Sequence, residues 1–115
     1  MYRSSVVPNG AYLPDRPGER NAQFVTAYGL AYGGQRPDHR GAGAYDIVQL
    51  LARVMRDVGT DRRAIRDRLA RLGINVPGYD GVTGTIAFDA RGDVPAKPVV
   101  IGVVRAGQLV TQVAQ

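Results

Sequence analysis

The sequence of 115 residues has no cysteine, which removes disulfides, thiolate nucleophiles and zinc-thiolate sites together. It has one histidine, His39, and the sequence offers neither a thiol nor a recognisable serine motif for its imidazole to activate, which argues against a catalytic base there. Long apolar runs are also missing. No unbroken stretch is long enough to cross a bilayer, and the first residues, Met1 to Pro8, lack the apolar run of a secretory signal. As written, the chain is expected to be soluble and to carry no export address. Internal repeats and low-complexity segments are absent as well.

What is present is a 44% hydrophobic chain with 15 glycines and 7 prolines. That suffices for one small unit with one core and is too short for two complete lobes. Helix-period and strand-period segments alternate with Gly/Pro-rich loops, which places the chain in the α/β class, helical over 19–72 and strand-forming over 82–113. The net charge of +5 permits binding to nucleic acid or another anionic surface without indicating either, because arginines and aspartates are interspersed.

Ser4 to Val7 reads as a short strand closed by Pro8 and Asn9-Gly10. A helix is expected from Glu19, with Phe24, Tyr28 and Ala31 on one apolar stripe widened by Val25 and Tyr32, and with Gly33-Gly34 as its stop. Residues 35–43, with Pro37 and two more glycines, read as a loop carrying His39 and Arg40. The next helix, Ala44 to Val58, is the most apolar, and Ile47, Val48, Leu51, Val54, Met55 and Val58 are expected to form its buried face. Tyr45 and Asp46 would open that helix, where the dipole favours a carboxylate.

Gly59 ends the core helix and Thr60 or Asp61 caps the next, whose narrow stripe is Ile65, Leu69 and Leu72. Ile74 to Gly81 reads as a linker and Val82 to Phe88 as a strand. Asp89, Gly92 and Asp93 have turn chemistry. Val99 to Val104 reads as a strand buried on both faces, and Arg105 to Gln108 as the turn into a last strand, Leu109 to Val113.

Four blocks, in order, resemble the C-terminal segment of type I periplasmic solute-binding proteins, the branched-chain amino-acid ABC transporter class. They are Phe24-Val25-x-x-Tyr28 with Tyr32-Gly33 and Pro37, then Ala44-Tyr45-Asp46-Ile47-Val48-x-Leu50-Leu51-Ala52. Gly59-Thr60-Asp61 follows with Ala64-Ile65-Arg66-Asp67-x-Leu69, and last Gly81-Val82-Thr83-Gly84-x-Ile86-x-Phe88-Asp89-x-x-Gly92-Asp93. The resemblance implies part of a lobe, with helices packed on a small sheet and a C-terminal β-hairpin. The helices would belong to one lobe, and the final strands would return through a hinge. It implies a non-enzymatic module that captures a small polar ligand, such as an amino acid, for an ABC transporter or sensor, in a periplasmic or extracellular setting and only with the missing lobe. No cofactor is implied.

The resemblance also places the stretch before the Tyr45-Asp46 helix beside the ligand cleft. His39 and Arg40 are therefore the ligand-binding candidates, Arg40 because a guanidinium fork suits a carboxylate. The alternative for both is an ordinary solvated surface. Aspartates at 38, 46, 57, 61, 67, 80, 89 and 93 match no complete metal-ligand spacing. The basic stretch Arg53 to Arg71 supports a different function, a small nucleic-acid-binding or protein-interaction protein. Asp57, Asp61 and Asp67 interrupt its charge, and no aromatic platform accompanies it. Open sheet edges near Val99 to Val104 lead to the expectation of a homo-oligomer.

Overall fold

The computed structural model describes residues 12–97 and 100–111. The strand read over Ser4 to Val7, and the ends of the two later strand readings at Val99 and Val113, lie outside the described residues. The chain divides into two compact units, one formed by the residues up to Ala42 together with those from Pro98 onward, the other by Gly43–Lys97.

In the first unit, α1 (Glu19–Ala31) begins at the expected residue and ends before Gly33-Gly34. Phe24 is buried on its inner face, Tyr28 and Val25 are half-buried, and Ala31 and Tyr32 are exposed. The Tyr12 ring meets Phe24 edge-on at 6.3 Å, and the Tyr12 hydroxyl donates to Asn21 Oδ1 at 2.7 Å. Asn21 is buried inside the helix, and its amide donates to the Pro14 and Arg16 carbonyls at 3.0 and 2.8 Å. A buried amide so satisfied fixes the approach loop to the helix.

The first unit also holds an antiparallel hairpin, in which β3 (Gly102–Arg105) pairs with β4 (Gln108–Thr111). Ala106 and Gly107 make its two-residue turn with φ of 50° and 76°, the pair of positive values that a type I′ hairpin turn needs. The expected turn is thus present. The apolar run before it is not buried on both faces: Gly102 is buried, but Ile101 and Val104 are exposed. Among the described residues, no further strand pairs with this two-stranded ribbon.

In the second unit, α2 (His39–Val58), which starts in the first, packs with α3 (Arg62–Arg71) and the hairpin of β1 (Tyr79–Gly81) and β2 (Gly84–Ile86). Asp61 caps α3 by accepting from the Ala64 amide at 2.9 Å. Leu50, Val54, Leu72 and Ile86 form the core, with Ile65, Leu69 and Phe88 packed against it. The fold is α/β, helices against small sheets with a C-terminal β-hairpin.

Two expectations need correction. The linker before Val82 contains strand β1, and Val82-Thr83 is the turn to β2, not part of a strand. Tyr79-Asp80-Gly81 lacks the β-branched enrichment that marks a strand, and cross-strand pairing overrides its weak propensity. The buried face of α2 is Ala42, Asp46, Leu50 and Val54, while Ile47, Val48, Leu51 and Met55 are exposed. Counting apolar residues identified a wide stripe but could not say which edge of it meets the core.

Val54→Ala should therefore lower stability by about 2 kcal/mol, through lost burial and a residual cavity, while Leu51→Ala should cost less than about 1 kcal/mol. Urea titrations followed by circular dichroism check the order; a larger loss at Leu51 would contradict the assigned face. Ala106→Gly should raise stability by about 0.5 to 1 kcal/mol, because a Cβ at positive φ is strained and glycine is not. An unchanged urea midpoint would remove that argument.

Candidate functional site

The residues singled out for ligand contact, His39 and Arg40, lie side by side in the first turn of α2 and not in a loop. The helix begins five residues before Ala44 because Asp38 caps it. Its Oδ1 accepts the backbone amides of Arg40 and Gly41, each at 3.0 Å, relieving two of the free donors of a helix start. Pro37 and Ala42 are buried on either side of this turn, and a side chain at Gly41 would touch the Tyr28 ring at 3.5 Å. Small residues at 41 and 42 are packing choices here and not the loop breakers they resemble.

His39 is half-buried and Arg40 exposed. Among the described residues, neither side chain donates a hydrogen bond or joins an ion pair. The Gly41 amide holds the Asp38 carboxyl below its ordinary value of 3.8, against a smaller opposing effect of burial, with the Arg40 amide and the charges of His39 and Arg40 acting the same way as Gly41. The turn therefore presents an ionised, already occupied carboxylate next to a free guanidinium.

Asp46, one of the family-like pair with Tyr45, is not at a helix start. It sits in the second turn of α2, almost wholly buried. Its Oδ1 accepts the Val82 amide at 2.8 Å, and its Oδ2 accepts the Thr83 amide at 2.9 Å and the Thr83 hydroxyl at 2.5 Å. The carboxylate thus binds the whole turn between β1 and β2. A Cβ at Gly81 would collide with that carboxylate, which accounts for glycine there. Sequence reasoning saw both residues but had no signal for their pairing, since the partners are 36 and 37 positions apart. Asp46 is spoken for by protein donors and is not a ligand group.

A second carboxylate clasp lies in the first unit, where Asp15 accepts the Thr111 amide at 2.7 Å and its hydroxyl at 2.6 Å. Burial pushes the Asp15 carboxyl up, but the Thr111 hydroxyl and amide, with help from Arg36, outweigh it and leave the value lowered. Asp89 accepts the amides of Arg91 and Asp93 at 2.8 and 3.0 Å, the turn chemistry expected of it. Among the described residues, no group of three acidic or histidine side chains is placed to hold a metal ion. No helix among them is long and apolar enough to cross a membrane.

An open, mostly apolar cavity of about 490 Å³ lies in the second unit between the α3 residues Arg66 and Leu69, Ile74, and the turn Phe88–Gly92. Neither His39 nor Arg40 lines it. On α3 itself, Arg66 pairs with Asp67 at 2.8 Å and Arg68 with Asp57 at 3.0 Å, so two of the arginines that suggested a nucleic-acid surface have local carboxylate partners.

Compared with known proteins, residues 4–108 match the family described as periplasmic binding protein. An ABC transporter substrate-binding protein from Desulfitobacterium hafniense, solved in complex with Leu, is 30% identical with a TM-score of 0.69, over 88% of this chain and 29% of that one. A leucine-binding protein from Thermotoga maritima is 26% identical with a TM-score of 0.73, over 90% of this chain and 28% of that one. The solute-binding protein of an ABC transporter from R. palustris, solved with benzoate, shares the fold at 22% identity and a TM-score of 0.72, over 88% and 27%. This chain thus spans less than a third of the length of each. No curated protein matches.

Asp46→Ala should cost about 3 kcal/mol or more, since it strands buried amides that now have a charged acceptor; a loss below about 1 kcal/mol in urea titration would show that water replaces the carboxylate. Asp38 and Asp15 both have lowered folded-state values. Their contribution is present above the unfolded value, near 3.8, and is lost as pH falls from there through the folded values. Stability should accordingly drop below about pH 4, and the Asp15→Asn, Asp38→Asn double variant should show a shallower acid limb in thermal melts from pH 6 to pH 2.5. Superimposable acid limbs would exclude both groups.

Proposed function

The chain belongs to the periplasmic binding protein family, and from that premise we propose that it forms part of a module capturing a small polar carboxylate, an amino acid first of all, for an ABC transporter or a sensor. The family is one of binding proteins in the periplasm, and the module acts by holding its ligand without chemical change. The observation that carries the reading is the family match over nearly the whole chain. Two neighbours were solved with leucine and with benzoate; the feature those ligands share is a carboxylate. The exposed Arg40 guanidinium, at a helix start already closed by Asp38, suits such a group because its planar fork forms two parallel hydrogen bonds. His39 stands beside it as a second donor.

A zwitterion is held tightly only when polar groups converge from two walls and water is excluded. With less than a third of the relatives' length, this chain supplies one wall. Titration calorimetry of the chain against a panel of amino acids and benzoate should therefore detect nothing tighter than about millimolar, or about 4 kcal/mol. Fused to the rest of a solute-binding fold, the same segment should bind one of them at micromolar strength, and Arg40→Ala should weaken that binding by about tenfold or more. Micromolar binding by the chain alone would show a self-sufficient pocket, and a fusion indifferent to Arg40→Ala would remove Arg40 from the site.

A further inference from the structure

The open cavity of the second unit has walls fixed by the backbone. The Phe88 amide donates to the Leu72 carbonyl at 2.8 Å, which ties the turn at 88–92 to the residue after α3. The Gly73 amide donates to the Val76 carbonyl at 2.7 Å, and a Cβ at Gly73 would stand 2.6 Å from that of Ala87, so the two walls are joined there without room for a side chain. Within the turn, the Gly92 amide donates to the Asp89 carbonyl at 3.0 Å and the Asp89 amide to the Asp93 carbonyl at 2.9 Å. A concavity held in this way exists before any ligand arrives. Its volume of about 490 Å³ lies within the range of about 300–1,000 Å³ that small-molecule sites span.

The lining combines apolar surface with surplus positive charge. Leu69, Ile74 and Phe88 supply the apolar part, and Ile74 is 57% exposed. Arg66 and Arg91 line the same cavity. Its one acid, Asp89, has Oδ1 already committed to the Arg91 and Asp93 amides. Among the described residues, the Arg91 side chain makes no hydrogen bond or ion pair. Arg66 pairs with Asp67, but both are exposed, and such a pair is weak enough to exchange. The Arg66 hydrogen bond holds the Asp67 carboxyl below its ordinary value of 3.8 against a smaller effect of burial, and the charges of Arg66, Arg71 and Arg63 act with it. One carboxylate thus faces three guanidiniums on this side of α3.

We propose that this cavity is a binding site for a small amphiphilic carboxylate, whose apolar body lies on Leu69, Ile74 and Phe88 and whose head meets Arg66 and Arg91. A hydrophilic anion would leave the apolar walls in water, and a neutral hydrocarbon would leave the guanidiniums unused; a ligand with both parts complements both. The inference rests on the cavity and not on Arg40, which does not line it, so either reading can fail alone.

Octanoate is the probe, with 1-octanol as its uncharged counterpart, and binding is followed by the amide chemical shifts of the isotope-labelled chain. Circular dichroism first establishes that each variant keeps the parent helix content. Octanoate should saturate one site with a dissociation constant of about a millimolar or lower, moving the signals of 69–74 and 88–92 most. 1-Octanol should bind about fivefold more weakly, and the Arg66→Gln, Arg91→Gln double variant should weaken octanoate by about the same factor. Removing the same charge elsewhere, with Arg56→Gln and Arg63→Gln, should leave the constant within about twofold. Ala70→Trp, which places a ring in the cavity without altering charge, should abolish binding of both probes. Equal binding of the alcohol, equal weakening by the two double variants, or shifts centred on Ile47 and Leu51 overturns the proposal. So does loss of the shifts when the chain is fused to the rest of a solute-binding fold, since the fold itself would then fill the cavity.

Discussion

One buried carboxylate sets the geometry of the second unit. Asp46 lies where an unpaired charge would be intolerable, and it is kept there by the Val82 and Thr83 amides and the Thr83 hydroxyl. Those bonds hold the β1–β2 turn at one height along α2. With that height set, Leu50 and Val54, one and two turns further on, meet Leu72 and Ile86, and the hairpin can approach the helix only where Gly81 has no side chain. Packing alone tolerates sliding by a fraction of a turn; three short hydrogen bonds to a charged acceptor do not. The glycine, the carboxylate and the apolar core are therefore one constraint expressed at three positions.

The same helix carries the candidate site. Its first turn is closed by Asp38 and wedged by Pro37 and Ala42, which leaves Arg40 exposed on a rigid base instead of a mobile loop. Preorganisation of this kind reduces the entropy lost when a side chain is fixed by a ligand. The contacts that define the helices and hairpins are satisfied within each unit, whereas Ile47, Val48, Leu51 and Met55 of α2 remain exposed.

Local chemistry was legible where the determinant lies within a few residues. The Asp61 cap and the Asp89 turn follow from carboxylates that accept amides of their own neighbourhood, and the Ala106-Gly107 hairpin turn from a glycine that takes positive φ without strain. The four family-like blocks were legible for the same reason, since each is a run of adjacent positions. Readings failed where a local signal was outweighed from a distance. Gly41 and Gly43 looked like loop residues, but the Asp38 cap and the Tyr28 ring against Gly41 make the first of them part of a helix. Tyr79-Asp80-Gly81 looked like linker until paired with Gly84–Ile86.

The sequence by itself determined the class, the presence and order of the three helices, the C-terminal hairpin turn and the family, because composition, periodicity and capping act over one or two turns of chain. Which side of α2 is buried, what Asp46 does and why Gly81 is glycine were decided only by tertiary structure. A period of 3.6 specifies that a helix has an apolar stripe and leaves open which edge of a wide stripe meets the core. A carboxylate near a helix start looks the same in sequence whether it faces water, a dipole or a turn 36 residues away; only the folded chain brings the Val82 and Thr83 amides within reach.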